Sequence, residues 1–202
     1  RGCRMVVDTY LFDFDGTLVD TAIYGMMYEA IIERLKQKGK IVNVDSAAQA
    51  LGISKGKHGR YDSGDLCKAL GMVDDYYDVL SEHIKVIPVL HEDARFVLKE
   101  LKKRGKVVGV VSNSMQRTIR LYLDKYGISQ YVDFIYSAGD AGCKKSSLEF
   151  WKRLIAVRKL DPVRCVMVGD TKIDDGEVPA KFGFKTFLLE DKQSLKKVLA
   201  IT

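Results

Sequence analysis

The sequence lacks the features that mark several common classes of protein. Its four cysteines are widely spaced and form no CxxC pair, so neither a zinc cluster nor a disulfide framework is predicted. No segment approaches the ~18 uninterrupted apolar residues of a membrane span, and the start of the chain has no apolar run typical of a secretory signal. We therefore expect a cytoplasmic protein with reduced thiols and no membrane partner.

The sequence also lacks a concentrated block of basic residues. Lys and Arg number 33 against 27 Asp and Glu, for a net charge of +6, but the basic residues are spread along predicted helices. This distribution favours a small anionic substrate over a nucleic-acid groove. The three histidines have no triad or metal-ligand spacing. No feature of the sequence indicates the oligomeric state.

The most informative segment is residues 11–18, LFDFDGTL, which places two carboxylates directly after an apolar, strand-like run. Side chains alternate along a strand, so Asp13 and Asp15 are predicted on the same side at its carboxyl end. Two like charges this close require a metal, a shared proton or a chemical use. The following Gly16 and Thr17 allow a sharp turn out of the sheet. The segment therefore predicts a functional site.

Strand-like and helix-like segments alternate from residue 106 onward, as in a parallel sheet covered by helices. Helices are predicted over residues 90–101 and from a cap at Ser146 or Ser147 onward. Residues 21–85 break the alternation with a helical pattern and a Gly- and Lys-rich loop, which indicates a helical insertion after the first strand. Five predicted strands are rich in β-branched or aromatic residues: residues 7–12, 106–111, 132–136, 164–168 and 184–189.

Polar residues follow four of these strands, and in α/β sheets ligands bind outside the carboxyl ends of the strands. Together they offer oxygen ligands for a hard cation, and a lysine and hydrogen-bond donors for a phosphoryl group. In chain order they are Asp13 and Asp15, Ser112 and Asn113, Lys144 and Lys145, and Asp170, Asp174 and Asp175.

These residues resemble the four motifs of the haloacid dehalogenase superfamily, whose members are mostly magnesium-dependent phosphatases, and in particular its capped, phosphoglycolate phosphatase-like branch. The motifs occur in order at residues 12–17 (FDFDGT), 110–113 (VVSN), 144–150 (KKSSLEF) and 169–175 (GDTKIDD). The resemblance implies an α/β fold with a Rossmann-like parallel sheet as catalytic core, residues 1–19 and 86–202. A small helical cap, residues 20–85, would be inserted after strand one.

The resemblance also implies roles for the matching residues. Asp13 would attack phosphorus to form an aspartyl-phosphate. Asp15 would protonate the leaving oxygen and then accept a proton from the attacking water. Ser112 would hydrogen-bond a phosphoryl oxygen, with Thr17 and Asn113 as further substrate-binding residues.

A lysine of the third motif would offset the negative charge of Asp13 and substrate. Lys144 is preferred over Lys145, because Phe150 follows Lys144 at the motif spacing, six residues on. Both lysines nevertheless remain candidates for the site.

Carboxylates of the first and fourth motifs would hold Mg²⁺. Asp174 fits the spacing within the fourth motif, whereas Asp175 fits better when counted back from Gly183, so both remain candidates. The implied ligands are Asp13, the main-chain carbonyl of Asp15, Asp170, and Asp174 or Asp175.

We therefore predict a Mg²⁺-dependent phosphate-monoester hydrolase that acts on a small phosphorylated metabolite. A phosphomutase or phosphonatase of the same superfamily and, from another class, a phosphoacceptor signalling module like a receiver domain are the alternatives. Substrate selection is predicted to fall to residues 52–60 of the cap, unless this is simply a solvated basic loop. Its candidate substrate-binding cations are Lys55, Lys57 and Arg60.

Overall fold

Five parallel strands form one sheet at the centre of this computed structural model, which describes residues 7–56, 59–190 and 192–201. The strands lie in the order β3-β2-β1-β4-β5, with β1 in the middle. Their bounds are Thr9–Phe12 (β1), Val107–Ser112 (β2), Phe134–Ser137 (β3), Cys165–Gly169 (β4) and Lys185–Leu188 (β5). The predicted α/β class and parallel sheet are confirmed, and each observed strand lies within two residues of its predicted bounds.

The α-helices account for about half of the remaining described chain. They are α1 (Ala22–Gln37), α2 (Val44–Ala50), α3 (Ser63–Ala69), α4 (Val73–Val86), α5 (Ala94–Lys103), α6 (Gln116–Lys125), α7 (Ala138–Ala141), α8 (Leu148–Arg158) and α9 (Val178–Ala180). Helix α8 begins after Ser147, whose hydroxyl accepts the Glu149 N–H at 3.2 Å. The sequence analysis left Ser146 and Ser147 as alternative caps for this helix, and the structure shows that Ser147 is the cap. Among the described helices, none combines the length and the apolar character that crossing a membrane requires.

The register of the sheet brings the ends of its strands to one edge. Phe12, the last residue of β1, lies opposite Val110 of β2 and Val168 of β4. Since all strands run the same way, the residues that follow β1, β2 and β4 emerge side by side. Ser112 of β2 in turn pairs with Ser137 of β3, so the loop that follows β3 leaves from the same edge.

Aromatic residues fill the core beneath this edge. Trp151 of α8 is fully buried and makes edge-on ring contacts with Phe150 and Phe184, with ring centres 5.5 and 5.4 Å apart. Such pairs stabilise a fold beyond the area they bury. Helix α8, which begins within the third motif, is thereby fixed against the sheet.

The chain divides into two compact units. One contains the described residues up to Asp20 and those from Leu90 onward, and the other is Thr21–Val89. In the second unit, Lys38 after α1 forms an ion pair with Asp75 of α4 at 2.5 Å. This helical unit falls where the sequence indicated an insertion, and we propose it as the cap domain.

Candidate active site

The two carboxylates of the first motif leave the sheet through a tight turn. The Asp13 N–H donates to the Val168 carbonyl at 2.8 Å, which extends the pairing of β1 with β4 by one residue. Gly16 has a φ of 80°, a left-handed conformation that glycine adopts without strain. A Cβ atom at Gly16 would also overlap the Asp170 carboxylate. The turn therefore needs glycine both for its backbone and for its close approach to the fourth motif.

Lys145 is buried between two carboxylates at the centre of the site. Its Nζ lies 2.5 Å from Asp13 Oδ1 and 2.7 Å from Asp175 Oδ1, and 3.4 Å from the Val111 carbonyl. Lys145 is 2% exposed, Asp13 5% and Asp175 0%. Buried charges are tolerated only when they are paired and hydrogen-bonded, so these three side chains depend on one another.

Burial has the largest effect on the pKa values of these three groups. Burial raises the pKa of Asp13 to about 8, against the lowering effect of Lys145 and with a further raising effect of Asp175. Burial likewise raises the pKa of Asp175 although Lys145 opposes it. Burial acts to lower the pKa of Lys145, but the carboxylates of Asp13 and Asp175 outweigh it and the pKa is raised. The three side chains therefore form one electrostatic unit, in which each pKa depends on the other two groups.

Asp13, Asp170 and Asp175 form a group that could hold a metal ion. One oxygen from each lies within 4.8 Å of the others, and these three make up the cluster of this kind found in the described residues. Three carboxylates without histidine or thiolate suit a hard, oxygen-preferring ion such as Mg²⁺ or Ca²⁺. Of the two adjacent candidates in the fourth motif, the structure brings Asp175 into this group and directs Asp174 elsewhere.

Asp174 instead pairs with Asn113, which the sequence assigned to substrate binding. The Asn113 Nδ2 donates to Asp174 Oδ2 at 2.8 Å, and its Oδ1 accepts the Lys145 main-chain N–H at 2.8 Å. Both ends of the amide are engaged in contacts between loops. Asn113 therefore links the second, third and fourth motifs, and its predicted contact with substrate stays a prediction.

Two serines lie near the end of β2: Ser112 is its last residue, and Ser114 lies in the loop that follows. Ser112 is buried and its Oγ accepts the Ser114 N–H at 3.0 Å, which leaves its own hydroxyl proton to be donated to a ligand. The Ser114 hydroxyl donates to Asp15 Oδ2. The sequence analysis did not select Ser114, because the family motif ends at Asn113. Thr17 is 1% exposed and its Oγ1 is without a hydrogen-bond partner in the described residues, so its predicted substrate contact is likewise untested.

The structure differs from the sequence-based preference for Lys144. The Lys144 side chain is exposed, whereas Lys145 points into the core and reaches Asp13. Lys145 is held in this register because its carbonyl accepts the indole N–H of Trp151 at 2.8 Å. Trp151 lies six residues after Lys145, the same separation that favoured Lys144 when counted to Phe150. The signal in the sequence that could have identified Lys145 was Trp151, because a buried indole N–H needs a hydrogen-bond acceptor.

The cations of the loop over residues 52–60 contact neighbours in their own unit. Lys55 Nζ lies 2.8 Å from Asp45 Oδ1 and 5.2 Å from the centre of the Tyr61 ring. The Arg60 guanidinium lies 5.7 Å from the centre of the Tyr28 ring. Lys57 lies outside the described residues.

Comparisons with known proteins agree with this fold and motif set. The family model of haloacid dehalogenase-like hydrolases matches residues 10–188. A phosphoglycolate phosphatase of Aquifex aeolicus is 26% identical over 191 residues, covering 88% of this chain and 82% of that protein. The pyrophosphatase PpaX of Bacillus mycoides is 24% identical over 172 residues, covering 84% of this chain and 78% of that protein.

The solved structures show the same fold. The HAD-hydrolase YfnB of Bacillus subtilis, bound to magnesium, has a TM-score of 0.67 at 16% identity, over 97% of this chain and 100% of that one. At 16% identity, this structural similarity is evidence for the fold but not for a function. Because the family model spans most of the chain, the protein belongs to the haloacid dehalogenase-like hydrolases.

Proposed function

We propose that this enzyme is a Mg²⁺-dependent phosphate-monoester hydrolase that acts on a small phosphorylated metabolite through an aspartyl-phosphate. The observation that carries the proposal is the buried Lys145, which contacts Asp13 while Asp15 lies two residues further along the same loop. A nucleophilic carboxylate, a second carboxylate for proton transfer and a fixed cation are the groups that phosphoryl transfer requires. The names of the two phosphatase relatives support the same reaction class.

In this proposal, an Asp13 carboxylate oxygen forms a bond to phosphorus while the ester bond breaks. The electron pair of that bond goes to the leaving oxygen, which takes a proton from Asp15. Asp15 then accepts a proton from water as the water oxygen displaces the Asp13 carboxylate and releases phosphate. Ser112 donates its hydroxyl proton to a phosphoryl oxygen, and Lys145 offsets the negative charge that accumulates beside Asp13.

The chemistry of the donor set fits Mg²⁺. Asp13 and Asp170 would hold the ion, with Asp175 acting directly or through water and with the main-chain carbonyl of Asp15 as a further oxygen ligand. When bound, the ion would supply positive charge to the phosphoryl oxygens. Asp174 is our weaker candidate for a ligand, because its carboxylate already accepts a hydrogen bond from Asn113.

Turnover of phosphate esters tests the proposal and separates the two carboxylates. Wild-type enzyme with Mg²⁺ is expected to release phosphate repeatedly from a panel that includes phosphoglycolate, pyrophosphate, sugar phosphates, nucleotides and glycerol phosphate. Asp13→Asn should abolish turnover, because an amide is a poor nucleophile. Asp15→Asn keeps the shape but loses the proton transfer, so kcat with glycerol phosphate should fall by a factor of ~10² to 10⁴.

Phosphate release is measured for each pure variant, with circular dichroism as the control for folding. A single stoichiometric phosphorylation without release would support the signalling-module alternative. Substantial turnover by folded Asp13→Asn would exclude Asp13 as the nucleophile.

Lys145→Met and Lys144→Met form a matched pair that tests the register of the third motif. Removing the buried cation leaves Asp13 and Asp175 facing each other, so Lys145→Met should lower the free energy of unfolding at pH 8 by ~3–5 kcal/mol and abolish turnover. Lys144→Met removes an exposed charge and should change stability by about 0.5 kcal/mol or less. Urea unfolding and phosphate release measure the two effects. Equal losses in both variants would show that the lysine assignment is wrong.

Mg²⁺ binding should be linked to proton release. Below the raised pKa of Asp13, about 8, the metal-free site holds a proton that the ion must displace. The apparent affinity should therefore rise with pH up to about 8, by at most about tenfold per pH unit for each proton displaced. Titration calorimetry in buffers of different ionisation enthalpy measures both quantities. An affinity that does not change with pH, with no proton released, would contradict the raised pKa.

We also propose that Lys55, Lys57 and Arg60 contribute to substrate selection. Replacing Lys55 or Arg60 by Ala should lower kcat/KM for the preferred metabolite. The fall should correspond to a loss of ~1–3 kcal/mol in transition-state stabilisation, as for a lost charge-assisted hydrogen bond. Activity on p-nitrophenyl phosphate, whose leaving group carries neither a second anionic group nor a hydroxyl group, should change little. Uniform effects on both substrates, or none on either, would show that this loop does not discriminate.

A further inference from the structure

We infer that Ser114 is a positioning residue for Asp15, whose hydroxyl fixes the direction in which that carboxyl group delivers a proton to the leaving oxygen. The inference rests on the proposed function. The Ser114 Oγ donates to Asp15 Oδ2, although the two residues lie on loops that follow different strands, β2 and β1. This contact joins the proposed acid to a part of the chain that the family motifs leave out.

Ser114 is itself held by the sheet. Its N–H donates to the Oγ of Ser112, the buried last residue of β2, at 3.0 Å. The next residues lead into α6, which begins at Gln116. The hydroxyl of Ser114 is therefore presented from a short segment fixed at both ends. A donor placed in this way restricts the rotation of the Asp15 carboxyl group about its Cβ–Cγ bond.

A hydroxyl is suited to this task because the Asp15 carboxyl group must serve in two forms. Oδ2 can accept the Ser114 proton when Asp15 is a carboxylate and also when Asp15 carries a proton on Oδ1. The same contact therefore persists through both halves of the reaction. In the first half the Oδ1 proton goes to the leaving oxygen as its bond to phosphorus breaks, and in the second Oδ1 takes a proton from water.

Loss of the hydrogen bond between Ser114 and Asp15 should slow the reaction most for esters whose leaving oxygen most needs a proton. An alkyl oxygen leaves poorly without protonation, whereas p-nitrophenolate leaves readily as an anion. Misorientation of Asp15 should therefore slow the first half of the reaction with alkyl phosphates and leave that half nearly unchanged with p-nitrophenyl phosphate, whereas the second half is the same for every ester. The esters are therefore compared by kcat/KM, which reports the steps up to the departure of the leaving oxygen. A role of Ser114 in folding alone would lower both rates equally.

The experiment compares Ser114→Ala, Ser114→Thr and a matched control, Ser129→Ala. Ser129 also donates to an aspartate, Asp124 Oδ1 at 2.5 Å, but lies at the surface between α6 and β3. For each variant with Mg²⁺, kcat and KM are measured with p-nitrophenyl phosphate, phenyl phosphate and glycerol phosphate.

For Ser114→Ala we expect a loss in kcat/KM of about tenfold or more with glycerol phosphate, and of about threefold or less with p-nitrophenyl phosphate. Ser114→Thr, which keeps the hydroxyl, should restore most of the lost rate, and Ser129→Ala should behave as wild type with every ester.

The Asp15→Asn background supplies a second readout. If Ser114 acts through Asp15, adding Ser114→Ala to Asp15→Asn should cause little further loss. Equal losses in kcat/KM across the three esters, or multiplicative losses in the double variant, would each overturn the inference. Absence of turnover by wild-type enzyme with every ester would instead overturn the proposed function, so the two failures are distinguishable.

Discussion

The burial of one ammonium group between two carboxylates is the constraint on which the site depends. Lys145 contacts Asp13 and Asp175 where almost no solvent reaches, so a displacement of the lysine would leave two buried carboxylates without their cation. The surrounding structure prevents such displacement. Trp151 donates to the main-chain carbonyl of Lys145, and Asn113 accepts from its main-chain N–H. The lysine is thus fixed through its backbone by the aromatic core and by the neighbouring loop.

The parallel sheet makes this arrangement possible, and hydrogen bonds between its loops make it specific. Parallel strands bring the ends of β1, β2 and β4 to one edge, but they leave the loops that follow free to adopt many directions. Two side chains of the loop after β2 restrict those directions: Asn113 contacts the third and fourth motifs, and Ser114 contacts the first. This loop therefore organises the site, in addition to the hydroxyl of Ser112 that we propose contacts phosphate.

The sequence predicts the position of a site residue best where that residue lies at the end of a strand. Asp13, Ser112 and Asp170 each follow or end a strand, and the structure brings Asp13 and Asp170 into one acidic group with Asp175. Lys145, and not the preferred Lys144, contacts Asp13, because the rotation of a loop decides which of two adjacent side chains faces the core. What decides the rotation is the hydrogen bond from Trp151 to the Lys145 carbonyl, a contact that no strand or helix period reveals.

The sequence by itself determined the α/β class, the order of strands and helices, the helical insertion and the set of polar residues at one sheet edge. These follow from local periodicity and from strand direction, which short segments specify on their own. Only the tertiary structure decided between Lys144 and Lys145, directed Asp174 to Asn113 and Asp175 to Lys145, and linked Ser114 to Asp15. Two adjacent residues of the same type, such as the two lysines or the two aspartates, differ only in the side chains and backbone groups that they contact. Those contacts come from distant parts of the chain, so the local sequence does not reveal them.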